Sequence, residues 1–421
     1  MRRDLLNQAH KPRVAYWIHS PTPYFVERFN ALAQSDAFDF EAWFNDRRES
    51  HRSWNVDEAD WRFQARYIPR RRLVGWCERV PVPELRSVQP DLLVQECDRS
   101  HLFAGFCAAK HLAGRTTLRA LPSYDSWSDR TWWRERGKHL VFRAADGAKV
   151  PGPDGMQLAR KYGLDADRIY SVTQSIDVAH YAGALAVSAA ARDERRAEFG
   201  LQGCVFLYVG RLWNGKGVDD LLAAYASVVA ANQDVSLLLI GDGPDEERYK
   251  RLAAGLPRVW FAGFVQTADL PTFYALADAL VFPTHGDPNG LVVEEAMAAG
   301  LPVITTSAAG DIRRRVPEGR AGYVVEPSRP AQLGAVMLRV AESPRLRRQL
   351  AAGASHAVTE RSHERYVQDF ERFVDRVLAQ PSRRTIAASV CQAIGLFVFF
   401  AGRRGACAPL VTAGVSTAIN G

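Results

Sequence analysis

Four charged side chains in the second half of the chain have the types and spacing to handle a phosphorylated sugar. Asp287 and Glu295 stand with seven residues between them, the first in a Gly/Pro loop (HGDPNG) and the second in the apolar run that follows. Carboxylates accept hydrogen bonds from hydroxyls, so the pair suits the diol of a ribose or of a sugar ring. Arg211 and Lys216 lie in the glycine-rich segment GRLWNGKG, which begins at Gly210. Arg offers phosphate a planar fork of donors and Lys a mobile point charge, so together they can neutralise a diphosphate. Each pair has a blander reading: acids at a helix start favour the dipole, and exposed cations decorate glycine turns.

Elements must bring the two pairs together. The apolar run 279–282 reads as a buried parallel strand, 284–289 as a loop, and a helix is expected from about Gly290. The first N–H groups of such a helix, on Gly290, Leu291 and Val292, lack intrahelical acceptors and sit at the positive end of the dipole, which suits a phosphate. The run 205–209 predicts another strand, whose exit places Arg211 and Lys216 at the carboxyl edge of the same sheet. Strands at 235–240, 259–264, 302–305 and 322–325 alternate with helices at 218–231, 270–276, 331–341 and 346–357. In a doubly wound sheet of this kind, ligands sit at the carboxyl ends of the strands.

The first half repeats the alternation less regularly. Strands are expected at 13–18, 38–44, 90–95, 115–121, 144–150 and 169–172, and helices at 26–34, 101–112 and 156–162, with 54–72 irregular. A chain of 421 residues is too long for one ordinary core. The expected fold is therefore α/β: two doubly wound parallel-sheet (Rossmann-like) domains facing a cleft. The divisions are 1–182, a linker at 183–203, a second domain at 204–360, a helix at 361–380 crossing back to the first domain, and an apolar tail at 381–421.

Hydrophobic and charged contents of 47% and 24% are those of a globular protein, and the six cysteines show neither CxxC pairs nor zinc-ligand spacing. This argues against a disulfide framework and fits a reducing cytosol. The short apolar run 14–18 after Arg2 and Arg3 is a first strand, not a signal peptide. The net charge of +7 is unevenly spread: residues 99–149 hold ten Lys and Arg against four acids, with Trp127, Trp132 and Trp133 among them. The patch reads either as a solvated face or as a surface for anionic lipid or an anionic acceptor. Nucleic acid is disfavoured, because no binding motif accompanies the charge. The stretch 385–401 is apolar between Arg383-Arg384 and Arg403-Arg404. It is short for a membrane span and fits a peripheral helix or a loosely ordered tail.

With these residues assembled, the segment from about 206 to 359 resembles the donor-binding domain of the retaining nucleotide-sugar glycosyltransferases of GT-B architecture, the "glycosyl transferases group 1" family. VGRLWNGKG, LLIGDGP, FAGFV, PTHGDPNGLVVEEAMAAGLPVITT and GYVVEP carry the likeness, in the family's order. The first half matches more loosely, through HSPTPYFVERFNALA and AADGAKVPGPDGMQLARKYGLDADRIYSVTQSIDV. The resemblance implies a catalytic set of Arg211, Lys216, Asp287 and Glu295. Arg211 and Lys216 would meet the donor diphosphate, Glu295 the ribose hydroxyls and Asp287 the hydroxyls of the transferred sugar. Gly210, Phe264, Val265, Asn289, Gly290, Leu291 and Val292 would complete the donor site, with the base near Phe264 and Val265.

Two departures stand out. The family usually has Glu where this chain has Asp287 and an aromatic where it has Asn289. Many relatives also carry a His in the first domain where Glu96-Cys97-Asp98 stands here. His19, Tyr24 and His101 are the acceptor-side candidates. The implied reaction moves a sugar to an acceptor hydroxyl with retention and without a metal or other cofactor. Asp165-Ala166-Asp167 resembles a metal-binding DxD but falls in a turn and reads as structural. The nucleotide-sugar donor is joined by a glycan or lipid-linked acceptor, with contact to an anionic membrane through 99–149 and the tail, at its cytoplasmic face. The rival readings are a nucleotide-sugar epimerase on the same architecture, a carboxylate-pair hydrolase, and a catalytically silent membrane-recruiting subunit. A dehydrogenase is disfavoured because Gly241-Asp242-Gly243 runs into Pro244, completing no GxGxxG.

Overall fold

Short runs of β-branched and aromatic residues bounded by glycine and proline become buried strands, and the intervening amphipathic runs become their covering helices. The computed structural model describes residues 11–48, 53–54, 56–69, 71–73, 76–78, 80–96, 103–120, 132–401 and 410–411. The chain forms two compact units: Met1–Gln174 with His363–Gly421, and Ser175–Ser362.

The first unit is built on β1 (Arg13–Ile18), β2 (Asp39–Phe44), β3 (Gln64–Tyr67), a separate antiparallel pair β4 (Arg71–Leu73) and β5 (Trp76–Glu78), then β6 (Leu92–Glu96), β7 (Arg115–Arg119), β8 (Gly147–Val150) and β9 (Ile169–Ser171). Its sheet runs β3-β2-β1-β6-β7-β8-β9, parallel throughout, with Leu410–Val411 added antiparallel on β3. The region 54–72, expected to be irregular, thus supplies a strand of the sheet. Its alternation is masked by Arg and aromatic residues on both faces.

One face of this sheet is covered by the helices Pro23–Leu32 and His363–Ala379. Tyr366, Phe370, Phe373, Val374 and Val377 recur at helical spacing and are buried against Tyr16, Phe38 and Tyr170. Burying each of these side chains contributes about 1.5–3 kcal/mol. The other face carries Phe103–Leu112 and Trp132–Ala144, and the apolar segment of the tail forms a helix, Ile386–Ala401, packed on both. A buried Asp146 holds that segment in place. Its carboxylate accepts from Lys110 Nζ (2.7 Å), Thr116 N (2.8 Å) and Arg383 N (2.7 Å). Among the described residues no helix is long and apolar enough to cross a membrane.

The second unit contains β10 (Cys204–Val209), β11 (Val235–Ile240), β12 (Val259–Gly263), β13 (Ala279–Phe282), β14 (Val303–Thr306) and β15 (Gly322–Val325). They are ordered β12-β11-β10-β13-β14-β15, all parallel. Residues 183–203, expected as a linker, belong to this unit. The helix Ala189–Glu198 sends Arg192 and Arg196 to the Asp278 carboxylate, each at 2.8 Å, and to the carbonyls of Ala277 and Leu276. The strand order reverses between β10 and β13, so the chain leaves these two adjacent strands in opposite directions across the sheet. A crevice outside the carboxyl ends at such a switch point is where open α/β sheets bind ligands.

Candidate functional site

The loops after β10 and β13 carry Arg211, Lys216 and Asp287, the helix after the second loop carries Glu295, and hydrogen bonds stitch the two loops together. Gly215 O accepts from His285 N (3.1 Å) and Thr284 Oγ1 (3.3 Å), while the His285 ring meets Asp220 at 2.7 Å. Gly217 is what lets the loops come this close. It has φ 68°, and a Cβ there would lie 1.9 Å from Pro283 O. Gly290 is similarly fixed, at φ 55° with the Phe282 ring 2.6 Å from where a Cβ would stand.

Across this junction Lys216 Nζ donates to Asp287 Oδ2 at 2.5 Å, both side chains being mostly buried. Asp287 Oδ1 accepts from Asn289 N (2.8 Å) and from Gly290 N. Burial alone would raise the Asp287 pKa, but the Lys216 ammonium and the two backbone donors outweigh it and hold the carboxyl below its usual range. The Arg211 guanidinium makes no hydrogen bond or ion pair among the described residues, while its carbonyl accepts from Tyr208 OH at 2.9 Å.

The helix after the loop is Val292–Ala298, two residues later than expected, because Gly290 is left-handed and its N–H is engaged by Asp287. The N–H groups of Leu291 and Val292 have no acceptor among the described residues. Glu295 is fully buried and its Oε2 accepts from Tyr274 OH at 2.8 Å. Phe264 and Val265 follow β12 and are half-buried, Val265 against the core.

Sequence reasoning missed Arg315, which together with Glu294 forms a buried ion pair. Its guanidinium also donates to Asn289 O, Gly290 O (2.9 Å) and Gly310 O (3.0 Å), fastening the Asp287–Gly290 turn from behind. The available signal was Glu294 itself, an acid on the helix face that the spacing of Val293, Ala296 and Met297 assigns to the interior.

In the first unit, His19 follows β1 and faces Asp46, 3.7 Å from ring to carboxylate, and Tyr24 packs edge-on against Trp54. His101 and Trp127 lie outside the described residues. Glu96, at the position where a His was expected, is buried in an ion pair with Arg119. Asp165 caps a short turn and pairs with Arg383 at 2.9 Å.

Residues 203–343 match the family described as Glycosyl transferases group 1. Through this segment the chain is similar to that family. It is 32% identical over 242 residues to a D-inositol 3-phosphate glycosyltransferase of Thermomonospora curvata, covering 54% of this chain and 56% of the relative. It is 27% identical over 329 residues to a mannosylfructose-phosphate synthase of Agrobacterium fabrum, covering 69% and 70%. The first of these matches therefore spans little more than half of its relative's length. Anabaena HepE, solved in complex with UDP, superposes with a TM-score of 0.70 at 18% identity, over 86% of this chain and 99% of that one. The fold is thus that of the GT-B glycosyltransferases, with two parallel-sheet Rossmann-like domains.

Proposed function

We propose that this protein is a retaining glycosyltransferase that moves a sugar from a nucleoside-diphosphate sugar to an acceptor hydroxyl, in glycan, polysaccharide or glycolipid synthesis. The observation that carries the reading is the meeting of Lys216 and Asp287 at the β10/β13 switch point, with Arg211 in the same loop as Lys216. Breaking the glycosidic bond leaves negative charge on the diphosphate and positive charge on the sugar. Arg211 and Lys216 stabilise the first without a metal. Lys has three donors, so one can stay on Asp287 while another takes a phosphate oxygen. Asp287, ionised and fixed by two backbone N–H groups, presents acceptor lone pairs to sugar hydroxyls. Glu295, oriented by Tyr274, takes the ribose hydroxyls. The acceptor belongs to the first unit, around His19 and Tyr24.

The test is turnover of UDP-, GDP- and ADP-sugars by the purified protein, with UDP-sugars first in view of the UDP-bound HepE. Released nucleoside diphosphate that depends on an acceptor, and is lost in Arg211→Ala, supports the proposal. Epimerised sugar from donor alone would indicate an epimerase, and no donor turnover or binding would leave a recruiting subunit.

A cytoplasmic protein touching an anionic membrane is part of the same proposal. Ile386 and Val390, one helical turn apart, and Trp132 are exposed apolar side chains, and Arg136 and Arg384 are exposed cations near them in sequence. Sedimentation with phosphatidylglycerol vesicles, and not with phosphatidylcholine vesicles, is the expected result.

A further inference from the structure

The first unit holds a second convergence of charge that the donor site does not use. β6, β7 and β8 bring Glu96, Arg119 and Lys149 to one level of the sheet as successive cross-strand partners, at its carboxyl edge. All three are turned toward the helices Pro23–Leu32 and His363–Ala379. Lys149 Nζ lies 5.9 Å from the Tyr16 ring centroid and 5.1 Å from that of Tyr366, and the Arg119 guanidinium lies 4.8 Å from that of Phe25. Arg28 adds a third cation from the first of these helices, 6.0 Å from the Tyr366 ring. The four charged residues are only 3–7% exposed.

Lys149 stands outside the ion pairs around it. Glu96 is committed to Arg119. The neighbouring Asp369 is also engaged, with Arg365 and Arg372. Lys149, 4% exposed, has neither a hydrogen-bond acceptor nor a carboxylate partner among the described residues, only the two ring faces. Burial, and then repulsion from Arg119 and Arg28, hold its pKa well below that of an ordinary lysine. A buried ammonium beside two guanidiniums is costly unless an anion joins them. Packing does not require it, since a Met of similar length would fill the space between the two tyrosines.

We infer that Arg28, Arg119 and Lys149 form a subsite for an anionic group, a phosphate or a carboxylate, and, resting on the transferase reading above, that this group is carried by the acceptor. Two forked donors and one point charge match a tetrahedral or planar oxyanion. The acceptor class is then a phosphorylated or acidic sugar, or one linked to a lipid through phosphate.

Thermal unfolding of the full chain tests this, with inorganic phosphate or acetate compared against chloride at equal ionic strength. Phosphate or acetate should raise the Tm saturably beyond chloride. Lys149→Met should unfold at the same or a higher temperature without ligand, keep its response to nucleotide sugar, and weaken the apparent anion affinity at least tenfold. Arg28→Gln, a separate variant, should weaken it as well. A soluble hexose phosphate and a detergent-dispersed polyprenyl phosphate, compared in the same way, separate a free from a lipid-linked acceptor. An anion response unchanged in both variants, or none beyond chloride in the native protein, would overturn the subsite. A missing nucleotide-sugar response in the native protein would instead sink the transferase reading and leave the anion result standing.

Discussion

At the scale of single residues, the donor-side loop is organised by one carboxylate with three donors on it. Lys216, Asn289 and Gly290 all bond Asp287, so its charge is compensated before any ligand arrives. Its folded pKa lies below the 3.8 of an ordinary aspartate, so its contribution to stability is fully present above that pH and is lost as pH falls through the depressed value. Acid unfolding followed by circular dichroism should therefore show Asp287→Asn less sensitive than the native chain below pH 3.8. Arg211 differs in that no carboxylate among the described residues holds it. Arg211→Ala should leave the stability within about 0.5 kcal/mol of native, as for a surface substitution. It should lower donor turnover by about 10²–10³-fold, the loss typical of a donor aimed at developing negative charge. Kinetics on the purified variant, with its melting curve alongside, checks both halves.

At the scale of elements, function depends on how closely two loops approach. Gly217→Ala places a methyl against the Pro283 carbonyl in a left-handed conformation, which must push the 210–217 loop away from the β13 exit. The expected outcome is a KM for the donor raised at least tenfold, together with a lowered Tm, measured by initial rates and calorimetry. Arg315 acts from the other side of the same turn, through three carbonyls and Glu294. In the first unit, Asp146 serves an analogous role for the returning tail. Asp146→Ala leaves Lys110 buried without its carboxylate, and should cost about 3–5 kcal/mol, read from urea unfolding.

At the scale of the whole molecule, the two units differ in chain continuity. The second is continuous, Ser175–Ser362, whereas the first is completed by His363–Gly421. Ending the chain after Ser362 removes Tyr366, Phe370, Phe373 and Val377 from the first unit's core and exposes the sheet face they cover. The truncated protein should lose the first unit's native signal and aggregate, while nucleotide-sugar binding by the second unit survives. Hydrogen exchange resolved by segment, together with calorimetric titration, would show whether it does.

The second unit was legible in the sequence because its strands are uninterrupted apolar runs such as Val205–Phe206–Leu207–Tyr208–Val209, punctuated by glycine loops whose charged residues stand at strand exits. Local chemistry sufficed there: the period, the glycines and the order of the segments fix which sheet edge carries Arg211, Lys216 and Asp287. The packing of residues 183–203 was not legible, because the contacts of Arg192 and Arg196 with Asp278 join residues about eighty positions apart. The helix start was misplaced because the Asp287 side chain took the N–H of Gly290. The sequence by itself determined the alternation and the paired domains, since these follow from short-range patterning. Only the tertiary structure decided that Lys216 meets Asp287, that Arg315 braces the turn, and that Arg28, Arg119 and Lys149 share one buried site. Each of those depends on which strands become neighbours, and parallel pairing across crossovers is a long-range choice that no local period encodes.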